Sequence, residues 1–317
     1  MSIVRTIRGA RWLPVLRRVG LARPQRERQA GRGLWWAWLV PATALTALFT
    51  VYPALAAIRL SAYQWPGYGP QVYVGAANYR ALFAAPVFKQ ALGNTISFAV
   101  VTALGTVGVG TAIALVLDSR MPLSRVLKAV IFLPVILPIV FTGLVWEYGL
   151  DTDLGWVNNL LNAIHHGLGQ GWLSNPSLVM WTIEIVTILQ FAGLPMIIIL
   201  AALEDVPREI HEAALVEGAN AWRRARYISL PLVKDVILTM ILLQLMYGFK
   251  VFDQVFVMTN GGPGNASQVM STYVFNEAFT LQHFGLGAAG AVTTSLIVIV
   301  VSMAYLTVFR TGRIERA

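Results

Sequence analysis

The sequence predicts an all-α integral membrane protein that crosses the bilayer six times. A pair of short helices is expected on one side, between the fourth and fifth crossings. Three observations carry this. The 317 residues are 56% hydrophobic and only 12% charged, with a mean hydropathy of +0.64, whereas a soluble domain carries about 25% charged residues. The apolar residues gather in long charge-free runs. Most of the basic residues then fall on one side of those runs. The composition excludes a soluble enzyme and a disordered regulator. With no cysteine in the chain, disulfides, iron–sulfur clusters and thiolate zinc sites are excluded as well.

A bilayer core takes about 20 largely apolar residues per helix. Residues 33–58 carry no charge and predict a first span at 34–59. Residues 90–117 are also charge-free and predict a second at 91–117. The run between Lys128 and Glu147 gives a third at 127–148, and the run between Glu184 and Glu204 a fourth at 178–203. A fifth is expected at 232–258 and a sixth at 287–309. The runs are continuous and lack the ten-residue alternation of a membrane barrel. Pro41, Pro53, Pro134, Pro138 and Pro195 lie inside spans, which membrane helices tolerate. Kinks are expected, above all at Pro134 and Pro138.

The charges orient the chain. Nine arginines precede residue 33, and further basic residues lie at 120–128, 208–234 and 310–316, which places 20 of the 24 on one side of six spans. This is the positive-inside pattern, so both termini are expected in the cytoplasm. The arginine-rich tail (residues 1–33) is read as a topogenic segment touching anionic membrane lipid. Its following apolar run is too long for a signal peptide, and a nucleic-acid arm is a poor fit for a membrane-tethered segment. Trp35, Trp36 and Trp38 suit an interfacial belt. A membrane domain over 34–310 and a short C-terminal tail over 311–317 complete the expected organisation.

One connection departs from the pattern. Between Glu204 and Asp235 the chain is dense in both signs of charge yet nearly neutral. Two short helices are expected, with Asp205 as a cap, Pro207 in the first turn and Glu209 near the positive helix end. Gly218 supplies a turn. Trp222 to Ile228 forms the second helix, and Leu230–Pro231 starts span five. Ala213, Ala214 and Ala219 would let another surface approach the backbone. From composition alone, a solvated hairpin and a docking element both remain open.

The stretch from Glu212 to Pro231, EAALVEGANAWRRARYISLP, resembles the EAA motif of binding-protein-dependent ABC transporter permeases. Glutamate is followed by two alanines, a glycine six residues on, and then I-x-L-P. Glu217 stands where sugar permeases usually have aspartate, and Ala225 where they often have phenylalanine. Asn78–Tyr79, Asn94–Thr95, Gly155 with Asn158 and Leu161, Trp172–Leu173, Phe249 to Asp253 and Thr259 to Gly264 are similar to the maltose-transporter type of sugar permease. The resemblance covers about residues 35–310. It implies a type I ABC importer permease fold in a bacterial or archaeal cell membrane. It also implies a cytoplasmic coupling segment over 204–231, with Glu212, Ala213, Ala214, Gly218, Ala219, Ile228, Leu230 and Pro231 at the contact with an ABC ATPase. A second permease and an extracytoplasmic solute-binding protein delivering a carbohydrate follow from it too. No catalytic group, metal site or nucleotide pocket is expected in this chain, so ATP and magnesium would belong to the ATPase. A self-contained secondary transporter or a membrane enzyme is the alternative, but the acids cluster at the membrane surfaces.

Other polar residues have weaker claims. Gln190 with Trp181, and Gln244 with Tyr247, offer amide and aromatic chemistry to a sugar and are candidate pathway residues. Lys250 and Asp253, three apart on one helical face near the external interface, are expected to form a structural ion pair or loop anchor rather than a substrate contact. Asn158 and Gly261–Gly262–Pro263 are candidate external contacts. Asn260 to Gly264 lacks the lysine and Ser/Thr of a P-loop.

The orientation is tested by reporter fusion. A fluorescent protein that folds only in the cytoplasm should glow when fused after Ala317. A periplasm-dependent phosphatase should be active when inserted at Gly167 and inactive after Ala317.

Overall fold

A computed structural model describes residues 35–118 and 124–314. The arginine-rich tail, Arg120 and residues 315–317 lie outside them. The chain divides into two units, Met1–Ala56 and Ala57–Ala317. The first contains α1 (Trp35–Thr46), a π-turn (Ala47–Val51) and the start of α2 (Tyr52–Leu60). Pro53 has no N–H for the carbonyl of Phe49, and the π-turn falls where that bond is missing. Leu39–Leu60 is long and apolar enough to cross a membrane.

In the second unit a two-residue antiparallel hairpin, β1 (Tyr63–Gln64) with β2 (Val72–Tyr73), pairs Tyr63 with Tyr73. Helix α3 (Ala77–Ala84) leads into α4 (Pro86–Leu117), the second span. Helix α4 is 32 residues long and uninterrupted. Its buried positions, from Phe88 and Ala91 to Ala114 and Leu117, recur at intervals of three and four, which draws one inward stripe.

The middle spans are broken. Span three is α5 (Ser124–Ile136) and α6 (Ile139–Gly149), meeting at 96°. The sequence leads one to expect a kinked rod, but Pro138 takes an extended ψ of 135° and caps a new helix instead. Helix α7 (Trp156–Ile164) lies in the following connection. Span four is α8 (Val179–Phe191) and α9 (Gly193–Glu204), bent by 42°. Pro195 has no N–H to offer the Phe191 carbonyl, which weakens the helix at that bend.

After α10 (Arg208–Val216), α11 (Ala221–Arg224), a π-turn (Ala225–Ser229) and α12 (Leu230–Leu232), the chain turns by 70° at Val233 into α13 (Lys234–Gly248). Leu230–Pro231 therefore lies just before the bend, at the end of the first helix of this bent pair. Helix α13 rises only about 22 Å over its 15 residues, short of a hydrocarbon core of about 30 Å. The chain then breaks and resumes as α14 (Asp253–Thr259), which packs on α6. Helix α15 (Met270–Phe275) and a π-turn (Asn276–Thr280) precede α16 (Phe284–Ile314), the last span.

Helix α4 packs against α8, α9 and α13. Lipid is as apolar as leucine, so helices in a bilayer associate through close packing and not through water exclusion. Two glycines bring α4 against the backbones of α9 and α13. A Cβ on Gly110 would lie 2.8 Å from the Ala192 carbonyl and 2.9 Å from the Met196 nitrogen of α9. One on Gly248 of α13 would lie 2.5 Å from the Ala99 Cα. Gly108, on α4 like Gly110, has nothing within 4 Å.

Gly110→Leu should force α4 from the backbone of α9 and destabilise the protein by about 1–3 kcal/mol. This is read as a lower midpoint of thermal unfolding in detergent. Gly108→Leu should leave the midpoint unchanged.

Candidate functional site

The segment between spans four and five is shaped at the start of α10 and at the turn into α11. Helix α10 begins after Pro207, which occupies the N-cap, and Glu209 stands in the first turn. Asp205 makes no capping bond: it follows the end of α9, two residues before the cap. At the other end the Ala219 N–H reaches the Ala214 carbonyl at 2.9 Å, and the Gly218 N–H reaches Leu215 at 3.0 Å. This crossed pair needs a left-handed residue, and Gly218 has φ +79°. Asn220 then caps α11, its Oδ1 accepting from the Arg223 N–H at 2.8 Å.

The structure brings the motif residues together on one loop–helix surface. Glu212, Ala213, Gly218 and Pro231 are exposed, Ala219, Ile228 and Leu230 half-buried, and Ala214 buried. Nothing lies within 4 Å of a Cβ built on Gly218, so the space beyond it is open. Around these residues stand large apolar side chains that sequence reasoning missed. Val216 is 90% exposed and Trp222 73%, with Leu215 and Tyr227 also exposed. The alternation of apolar and charged residues in the segment hid them. On a strongly charged segment, such a patch marks a contact surface.

Behind the coupling helices lies a cavity of about 790 Å³ where α4, α5, α9 and α10 end. Lys128 and Glu204 pair there at 3.1 Å. Arg208, His211, Glu212 and Arg224 also line it, and the Nε of Arg224 is buried without a hydrogen-bond partner. The coupling helices thus meet the ends of spans two, three and four across a polar gap.

At the opposite end, Asn158 is not a surface contact. It is buried, and its side chain donates to the carbonyls of Asp151, Thr152 and Gln170. It also accepts from the Gln170 N–H at 3.1 Å and the Trp172 indole at 2.7 Å. An amide saturated in this way pins the connection between spans three and four. Nearby, Asp151 accepts from the backbone N–H groups of Leu154 and Asp153, which holds its carboxyl below the usual range.

The Gly261–Gly262–Pro263 loop is likewise tied down. Asn94 of α4 donates to the carbonyls of Ala266 and Gln268, each at 2.8 Å, and the Met270 N–H donates to Thr95 Oγ1 at 2.9 Å. Gly261 is buried against the Gln268 amide, while Gly262 and Pro263 are partly open.

The expected Lys250–Asp253 pair does not form: no ion pair within 4 Å joins them among the described residues. The helix ends at Gly248, so the two do not share a face. Asp253 opens α14, where its charge suits the helix N-terminus. The pathway candidates also separate. Gln190 and Gln244 are buried inside the chain, Tyr247 is half-buried against the Phe191 ring at 5.1 Å, and only Trp181 is exposed, at 56%. Burial takes both glutamines off any surface shared with a second chain.

The comparisons agree with this geometry. The family described as binding-protein-dependent transport system inner membrane component matches residues 106–311. The chain is 32% identical over 284 residues to the probable ABC transporter permease protein YurN of Bacillus subtilis, covering 88% of this chain and 96% of that one. It is 32% identical over 272 residues to the lactose transport system permease protein LacF of Rhizobium radiobacter, covering 84% and 91%. It is 28% identical over 285 residues to the trehalose/maltose transport system permease protein MalF of Thermococcus litoralis, covering 89% and 95%. A chain from the crystal structure of the bacterial alginate ABC transporter, in complex with alginate pentasaccharide-bound periplasmic protein, shares the fold. Its TM-score is 0.80 at 20% identity, over 92% of this chain and 99% of that one. On these matches the chain belongs to the inner-membrane permease components of binding-protein-dependent ABC transport systems.

Proposed function

We propose that this permease forms half of a translocation pathway for a carbohydrate, and that a second, related permease supplies the other half. The named sugar permeases among the relatives support the substrate class. Support for a second chain comes from Trp181, which span four leaves exposed on its outer face. A solute-binding protein delivers the sugar at the end bearing the Gly261–Pro263 loop. ATP and magnesium are bound by a separate ATPase, and both termini of this chain lie in the cytoplasm.

The observation that carries the mechanism is the exposed surface of α10 and α11, ended by the left-handed turn at Gly218. In this reading the ATPase grips Ala213, Leu215, Val216 and Trp222, with Glu212 and Ala219 beside them. ATP-driven closure moves the segment as a unit, since its helix ends are internally bonded. The motion passes to span five at the 70° turn and to span four through Asp205–Pro207.

Gly218→Val should be poorly tolerated, because a β-branched residue does not adopt φ +79°. The chain should still insert, and substrate-stimulated ATP hydrolysis by the assembled transporter should fall at least about tenfold, the cost of some 1.4 kcal/mol in coupling. Normal coupled hydrolysis in this variant would count against the docking role. The substrate class is tested separately. The binding protein that copurifies with the complex should gain thermal stability with one or more oligosaccharides; a gain only with amino acids or metal ions would replace the carbohydrate assignment.

A further inference from the structure

Between residues 154 and 203 the chain has a single Asp, Glu, Lys or Arg, Glu184 on α8. It is fully buried, at 0% exposure. Its Oε1 accepts from the Ser97 hydroxyl of α4 at 2.9 Å, and its Oε2 has no partner. About 9 Å further along the same helix, Gln190 is 2% exposed, and neither its amide oxygen nor its nitrogen has a partner. The neighbouring hydroxyl protons are committed. Thr187 donates to the Ile183 carbonyl, Thr102 to Phe98 and Thr106 to Thr102.

Three polar atoms on one helix, all buried and all unpartnered, are too costly to leave bare in a membrane interior. Side chains of this kind are the ones to which buried waters bind, each making about three hydrogen bonds. The bend of span four lies just beyond, where Pro195 also leaves the Phe191 carbonyl without its helical donor.

We propose that the contact between α4 and α8 is a hydrated seam, with ordered water bound at Glu184 Oε2 and at the Gln190 amide. The ligand is water, and the site lies wholly inside this chain. Its bonds can be exchanged as span four leans on span two at its bend, which a dry apolar contact does not offer. The seam gives Gln190 a role that its burial denies it on a shared pathway.

Hydroxyl-radical footprinting by brief X-ray exposure tests this on the assembled transporter in lipid nanodiscs. Bound water is radiolysed in place and oxidises the side chains beside it, even where bulk solvent has no access. Ile183, wholly buried, should be labelled about five-fold or more above Ile199, and Phe98 above Phe88, controls of the same residue type that are equally buried in apolar clusters. Labelling of Ile183 and Phe98 at the level of these controls overturns the proposal. In the Glu184→Met, Gln190→Leu double variant the labelling should drop to that level; labelling that persists unchanged there also overturns it. The unmodified complex decides the matter by itself if the double variant does not assemble.

Discussion

The close approach of α4 to α9 and α13 is the constraint on which the rest depends. In a bilayer the apolar side chains gain little by leaving lipid for one another, so the spans hold where backbones come near enough for dense contact. Gly110 and Gly248 provide that nearness at two depths along α4. With α4 unbroken for 32 residues, the broken spans have a fixed member to break against. Asn94 and Thr95 near its start tie down the loop after α14, and its far end lines the cavity behind the coupling helices. One helix thus connects the Gly261–Pro263 loop with the cavity behind α10 and α11.

The bends give this frame its moving parts. Each has a local cause: Pro138 with its extended ψ in span three, Pro195 and Gly193 in span four, and Val233 at the entry to span five. The α10–α11 segment lies between the last two bends, and its own hydrogen bonds close the turn that joins its two helices. That turn links α10 to α11, and α12 carries the chain on to the 70° bend at Val233. Among the described residues the polar gap lined by Lys128, Glu204 and Arg224 separates that segment from the spans and leaves room for it to shift.

Much of this was legible in the sequence, for physical reasons. Membrane spans must be long and apolar, so the apolar runs located the three long helices and the three bent pairs. The coupling segment stood out because it is charged between two spans, and Gly218 announced a left-handed turn that the structure contains. What escaped were features fixed by tertiary contact. The spacing of Lys250 and Asp253 suits a pair only if the helix continues, and it stops at Gly248. Asn158 reads as a polar loop residue until its five hydrogen bonds are seen. Gln190 and Trp181 share a span, yet one faces inward and the other outward, and periodicity does not tell which side a second chain occupies. The exposure of Val216 and Trp222 was hidden by the charges around them, although hydrophobic residues in a solvated hairpin were the available signal.

The central claim is that the exposed surface of α10 is covered by an ATPase in the working transporter. The chain contains no cysteine, so one introduced in place of Val216 reports on that surface without background. Its rate of reaction with a water-soluble maleimide should be high in the isolated permease, given its 90% exposure, and should fall by about tenfold or more when the ATPase is bound, as expected for a residue in the desolvated centre of an interface. Equal rates with and without the ATPase would contradict the claim.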